Sequence, residues 1–184
     1  QEIFAAHMIL SGLSQQASKL DREKMQTQLQ SVTAILETAQ RDLRILLLHL
    51  RPIELEQKSL VEGIQLLLKE LEEKSDLKVS FKYQVTALPK KIEEHIFRIV
   101  QELISNTLRH AQASCLDVYL YQTETGLQLK VVDNGRGFQL DDVDELSYGL
   151  RNIKERVEDM AGSIQLLTAP KQGLAVDIRI PLLD

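Results

Sequence analysis

The feature that most constrains this 184-residue chain is a change of hydrophobic rhythm at Pro52. Before it, Ile3, Ala6, Leu10, Leu13, Ala17 and Leu20 recur at alternating intervals of three and four. After a charged break, Asp21-Arg-Glu-Lys24, the same rhythm resumes at Leu29, Val32, Leu36, Ala39, Leu43, Leu46 and Leu50. Such spacing is the seam of helices packed on helices. Proline lacks the N–H and the conformational room to continue a helix, so Pro52 ends the second one. Two helices with one apolar stripe, widened by Ile35 and Leu47, form a hairpin that cannot bury the stripe alone. Pairing with a second copy into a four-helix bundle is the expected solution, against a monomeric hairpin folded onto the rest of the chain.

Beyond Pro52 the periods are mixed. Leu60, Ile64, Leu67, Leu68 and Leu71 trace an amphipathic helix, Lys78–Tyr83 alternates as a strand, and Pro89 opens a helix expected to run to His110. Residues 115–121 and 126–133 alternate as a hairpin around Thr123–Gly126. A helix over 150–160, a turn at Gly162 and a last hairpin from 163–167 and 175–181 follow. The expected class is α+β. A helical hairpin spans 1–52, an α/β sandwich with a mixed, mostly antiparallel sheet spans 53–184, and the joint lies near 52–59.

Composition narrows the function. Lys and Arg number 22 against 27 Asp and Glu, a net charge of -5, which argues against direct nucleic-acid binding and requires any phosphate site to be local. The single cysteine, Cys115, excludes an intrachain disulfide and thiolate zinc clusters, and its alternating neighbours read as strand. No run approaches the roughly 18–20 apolar residues of a membrane span. The chain opens inside a helical pattern without an initiator methionine, so a cytoplasmic portion of something longer is expected.

The chemistry concentrates between Glu102 and Phe138. Glu102, Asn106 and His110 stand at four-residue intervals, which an α-helix stacks on one face, with Ile96, Val100, Leu103 and Thr107 on a neighbouring, more apolar side. Asp133 ends an apolar strand and is followed by Gly135 and Gly137, a carboxylate beside backbone that can come close to a ligand. No Gly-x-x-x-x-Gly-Lys-Ser/Thr loop is present.

At these residues the sequence resembles the GHKL superfamily of ATP-binding domains, and more closely the sensor histidine kinases of bacterial two-component systems. Glu102 and Asn106 match the Glu-x-x-x-Asn box, Asp133, Gly135 and Gly137 match Asp-x-Gly-x-Gly, and Gly149-Leu150-Arg-Asn-Ile153-Lys-Glu155-Arg156 looks like the second glycine box. The last form is common in kinases that serve helix-turn-helix response regulators, and the first fifty residues resemble Gram-positive cell-envelope stress sensors. The resemblance implies ATP and Mg²⁺ as ligands and a homodimer through the hairpin. It implies a response regulator as partner and a membrane-anchored parent protein. Asn106 would offer an amide oxygen to Mg²⁺, with Glu102 ligating through or ordering a bound water, and both would serve catalysis. Asp133 would accept from the adenine amino group, a bond guanine cannot make. Gly135 and Gly137 would let the backbone turn beneath the nucleotide, and Gly149 and Leu150 would open a helix whose amides face phosphate oxygens. Arg109 and His110 are either phosphate-side contacts or a solvated helix end.

Three departures stand out. The acceptor motif His-Asp/Glu-x-x-x-Gln is met only at its last position, by Gln1, so the phosphorylated histidine is expected five residues before Gln1. His7, followed by Met8, does not fit it, and His49 and His95 read as structural or surface residues. By the same match Gln1 aligns with the glutamine that positions water for dephosphorylating the regulator. The stretch 139–148 resembles the ATP lid but carries Asp141, Asp142, Asp144 and Glu145, and Gly173-Leu174 stands where many relatives have Gly-Thr. Two other classes were weighed. A gyrase- or chaperone-like ATPase would use Glu102 as general base, but Asp184 ends the sequence where a transducer domain would follow. An anti-sigma-type serine kinase switch would lack the long heptad hairpin.

Overall fold

The computed structural model describes residues 2–16, 21–49, 58–139 and 148–182. Gln1, the Pro52 stop and the acidic stretch 141–145 lie outside them. The chain divides into two compact units, 1–49 and 50–184.

In the first unit α1 (Glu2–Gln16) packs against α2 (Arg22–His49). Ala6, Leu13 and Val32 are buried between them. Ile3 and Leu10, also seam positions, are 61% and 43% exposed, as a hairpin that cannot bury its stripe alone would leave them. Periodicity identifies an apolar stripe, but one neighbouring helix covers only part of its width. On α2, Leu36, Leu43 and Leu46 are likewise open to solvent.

The second unit is a five-stranded sheet in the order β1-β2-β3-β5-β4. The strands are β1 (Lys78–Gln84), β2 (Cys115–Thr123), β3 (Gly126–Asp133), β4 (Ser163–Thr168) and β5 (Leu174–Ile180). Only β1 and β2 run parallel, joined through the helix between them, and the other pairings are antiparallel. Helices α3 (Leu60–Lys74), α4 (Lys90–Asn106) and α5 (Tyr148–Glu158) pack against the strands and one another, with α4 between α3 and α5.

Alternation decides which side chains meet the helices. Leu116, Val118 and Leu120 of β2 align with Val131 and Leu129 of β3, and these with Val176 and Ile178 of β5, all buried. The middle position of α4 explains its broad buried surface, which includes Ile96, Ile99, Val100, Leu103 and Ile104. Ser59 caps α3, its hydroxyl accepting from the Glu62 N–H while the Glu62 carboxylate accepts from the Ser59 N–H at 2.9 Å. These bonds hold the Glu62 carboxyl below its usual pKa.

The expected helix to His110 is not one α-helix. α4 ends at Asn106, and Thr107–Ala111 form a wider π-helical turn that closes at Gln112, whose φ is 53°. His110 therefore does not continue the α-helical stack of Glu102 and Asn106. The Ala111 carbonyl, at the end of this turn, accepts the Arg136 N–H at 2.7 Å. A turn with one extra residue is what reaches the loop beyond β3.

The core predicts a mutational outcome. Ile178 is fully buried at mid-sheet, so Ile178→Ala is expected to cost about 3 kcal/mol through lost transfer energy and a residual cavity. Urea unfolding should show a lower midpoint at unchanged m-value; a loss within experimental error would contradict this packing.

Candidate functional site

Asp133 is the last residue of a row that begins Leu127, Leu129, Val131, so strand alternation turns its carboxylate to the helix side with the core. It is 6% exposed. Above it opens a cavity of about 250 Å³ lined by Asn106, Thr107 and His110 on one side and by Arg136, Phe138, Leu150 and Leu174 on the other. Ligand clefts for drug-sized molecules run roughly 300–1,000 Å³. This cavity therefore suits a flat heterocycle with its polar substituents outside.

The carboxylate is held from several directions. Its Oδ1 accepts the Gly135 N–H at 2.8 Å, and the Leu174 N–H and the Thr107 side chain, whose hydroxyl donates to the Leu103 carbonyl at 3.1 Å, also favour its ionised form. Burial nevertheless outweighs these donors and raises the Asp133 pKa above that of an ordinary carboxylate.

The loop after β3 is locked on both flanks. Asn134 accepts the Ser114 and Cys115 N–H groups at 2.9 Å each and donates to Ser114 Oγ, so its role is to fasten the start of β2. A Cβ on Gly135 would meet the Ala111 backbone, which leaves only glycine able to pass the π turn. Gly137 has φ of 57° and lies against the Ala169 carbonyl. Thr168 accepts the Phe138 N–H at 3.2 Å and donates to Gly173 O at 2.7 Å. Phe138 is thereby placed as a cavity wall.

The other expected residues are distributed around this core. A side chain at Gly149 would collide with Glu102 Oε1 and approach Asn106 Nδ2, so the first turn of α5 rests on the Glu102–Asn106 edge. Asn106 Nδ2 is buried without a hydrogen-bond partner, an amide whose capacity is unspent at the cavity rim. Leu150 forms the wall below it. Arg109 is exposed and does not line the cavity, whereas His110, also exposed, does. Desolvation, with Arg109 and Arg136 nearby, lowers the His110 pKa below 6.5, so the imidazole is neutral at pH 7.

Thr107, Arg136 and Phe138 line the cavity although motif spacing did not single them out, and so does Leu174, the departure from the Gly-Thr pair. Helical spacing puts Thr107 on the apolar side of the helix, and the π turn brings it to the site. The signal for Arg136 and Phe138 lay in plain sight, since residues inside and just after a glycine-rich loop must share its position.

No group of three or more His, Cys, Asp or Glu side chains capable of holding a metal occurs among the described residues. A cation here would take one or two oxygens from Asn106 and Glu102 and the remainder from ligand and water, which suits Mg²⁺.

The raised carboxyl pKa has a stability consequence. Between 3.8 and the higher folded value the native state binds more protons than the unfolded chain, so stability falls as pH rises through that window. Urea unfolding of the parent minus that of Asp133→Asn, from pH 4 upward, should show this slope, and parallel curves would rule it out.

Residues 91–184 match the family model described as histidine kinase-, DNA gyrase B-, and HSP90-like ATPase, and residues 1–55 match a histidine kinase family model. Sensor protein VraS of Staphylococcus epidermidis is 41% identical over 182 residues, which cover 99% of this chain and 51% of that protein. Sensor histidine kinase LiaS of Bacillus subtilis is 38% identical over 182 residues, covering 99% and 50%. The chain spans about half the length of these curated relatives. In fold it is similar to the histidine kinase domain of an Erythrobacter litoralis blue-light activated histidine kinase, with a TM-score of 0.58 at 18% identity over 96% of each chain. The Acinetobacter baumannii histidine kinase AdeS gives 0.57 at 17% identity, over 100% of this chain and 96% of that one. The chain belongs to the histidine kinase-, DNA gyrase B-, and HSP90-like ATPase family, and within it to the sensor histidine kinases.

Proposed function

We propose that this chain is the ATP-binding and dimerisation part of a sensor histidine kinase, binding Mg-ATP for transfer of its γ-phosphoryl to a histidine and then to a response-regulator aspartate. The observation that carries this is the buried Asp133 carboxylate at the floor of an apolar cavity whose rim holds Asn106. An acceptor fixed in such a place selects a base with an exocyclic amino group in its plane, as adenine has. Phe138, Leu150 and Leu174 close on the faces of the base. The phosphates leave toward His110 and Arg136, a neutral and a cationic donor, with Asn106 and Glu102 at the metal end. Mg²⁺, when bound, neutralises phosphate charge in a reaction whose catalysis is mainly positioning. Gly137 supports the base loop, and Gly149 lets α5 close on the Glu102–Asn106 edge.

The exposed Leu36, Leu43 and Leu46 of α2 support a homodimer through the hairpin, where a second copy covers what α1 leaves open. The response regulator is of the helix-turn-helix output type, and the chain itself makes no direct nucleic-acid contact. Among the described residues no helix is long and apolar enough to cross a membrane. The curated relatives are about twice as long as this chain, and on this reading it serves as the cytoplasmic portion of a longer, membrane-anchored protein, with its domain joint near 52–59.

Calorimetry with Mg²⁺ and a non-hydrolysable ATP analogue tests the site. The parent should bind, and Asp133→Asn should weaken binding about 10- to 100-fold, the loss of a hydrogen bond to a charged acceptor worth roughly 1.5–3 kcal/mol. A folded parent that binds nothing would end the nucleotide reading. Polyphosphate beside the neutral His110 should also restore its pKa toward 6.5, so binding at pH 6 takes up protons. The apparent enthalpy should then vary with buffer ionisation heat, less so in His110→Gln; no difference between the two proteins would remove His110 from the phosphate side.

A further inference from the structure

Among the described residues that line the cavity, only Asp133 and Leu174 stand on strands, and the β3–β5 register places them directly opposite each other. Residues so paired project to the same face of a sheet, with Cβ atoms about 4.5–5.5 Å apart. The Leu174 side chain is therefore the neighbour of the Asp133 carboxylate on the cavity side. On the other flank Asp133 pairs with Leu116, which is fully buried. Beyond Leu174 the row ends at Thr168. That hydroxyl is committed elsewhere, donating to the Gly173 carbonyl at 2.7 Å and accepting the Phe138 N–H at 3.2 Å. The carboxylate thus stands between two leucines, in a row that offers a ligand no second polar side chain.

Leu174 is also held in place. Gly173 has φ of 71°, and a Cβ there would strike the Asp133 carbonyl, so β5 begins hard against the end of β3. Leu174 is then paired on both sides, with Asp133 and with Thr168. A side chain on a strand fastened along both edges cannot withdraw to admit a larger ligand without repacking the sheet. Besides closing on the base, Leu174 fills the space that flanks whatever group the carboxylate accepts.

We propose that Leu174 is a specificity-determining residue: its side chain, fixed beside Asp133 by the β3–β5 register, restricts the site to bases whose exocyclic amino group is unsubstituted. This deepens the nucleotide reading and rests on Asp133 being the acceptor for the base. An amino nitrogen carrying a methyl group keeps one N–H for the carboxylate, but the methyl has to displace a leucine. One methylene too many or too few in an apolar pocket is worth roughly 10- to 200-fold in discrimination. Shortening Leu174 removes the obstacle and leaves the acceptor untouched.

The test is calorimetric titration of the 184-residue chain at pH 7 with Mg²⁺ and either ADP or N6-methyl-ADP. The proteins are the parent, Leu174→Ala, Leu174→Val, Leu174→Met and Asp133→Asn. The parent should bind N6-methyl-ADP at least about tenfold more weakly than ADP. Leu174→Ala should bring the two nucleotides within about threefold of each other. Leu174→Val should fall between, and Leu174→Met, which conserves volume, should keep the parent's ratio. A purely structural role would weaken both nucleotides alike, so the ratio decides. A parent that binds both equally overturns the proposal, as does a Leu174→Ala protein that retains the parent's ratio. Should Leu174→Ala fail to fold, Leu174→Val decides by the direction in which the same ratio moves. A parent that does not bind ADP, or an Asp133→Asn protein that binds it as the parent does, defeats the acceptor reading itself and is told apart by that result.

Discussion

A single backbone approach sets the geometry of the site: the Arg136 N–H meets the Ala111 carbonyl at 2.7 Å, with Gly135 pressed against the same residue. Through it the end of the helical segment and the loop after β3 become one wall. On the far side, Lys171 N–H donates to the Arg136 carbonyl at 2.6 Å, so the loop is clasped between the π turn and the β4–β5 connection. Asp133 accepts the Gly135 N–H from inside this clasp. The carboxylate is thus oriented before any ligand arrives, and little conformational freedom remains to be lost on binding. The cost is a buried acid with a raised pKa, a local destabilisation of the kind binding sites carry and cores avoid.

Much of this architecture was legible because period and punctuation agree. The alternation of 126–133, ended by Asp133 and a glycine pair, specifies a strand and its loop, and β3 occupies that span. The heptad rhythm specifies two helices, and both form. Periodicity also gave a stripe wider than one hairpin can cover, and Ile3 and Leu10 are open as that implies, though not which seam positions the single hairpin would bury. It also could not give the π turn. A wide turn costs regular hydrogen bonding and forms where a tertiary contact compensates, here the one at Arg136, some twenty-five positions away in sequence.

The site was half legible for the same reason. Glu102, Asn106, Asp133, Gly135 and Gly137 carry spacing that a sequence displays, and they converge on one end of the sheet. Thr107 and Phe138 carry none, and Leu174 shows only as a departure from a Gly-Thr pair. Thr107 enters by the rotation of the π turn, Phe138 by its bond to Thr168, and Leu174 by register with Asp133. Each depends on pairing between segments that periodicity treats separately.

The two ends of the cavity differ in how firmly they are built. Asp133 belongs to β3, hydrogen-bonded on both sides by β2 and β5. Leu150 and Gly149 belong to α5, eleven residues long and anchored by the buried Leu150, Ile153 and Val157. Local opening free energies follow such differences in burial and bonding. The helix can fray from the sheet in a sub-global event that leaves the strand intact, withdrawing one wall and freeing the Glu102–Asn106 edge. The cavity thus joins a firm floor, fixed by the sheet, to a wall that can be withdrawn and restored while the sheet keeps its form.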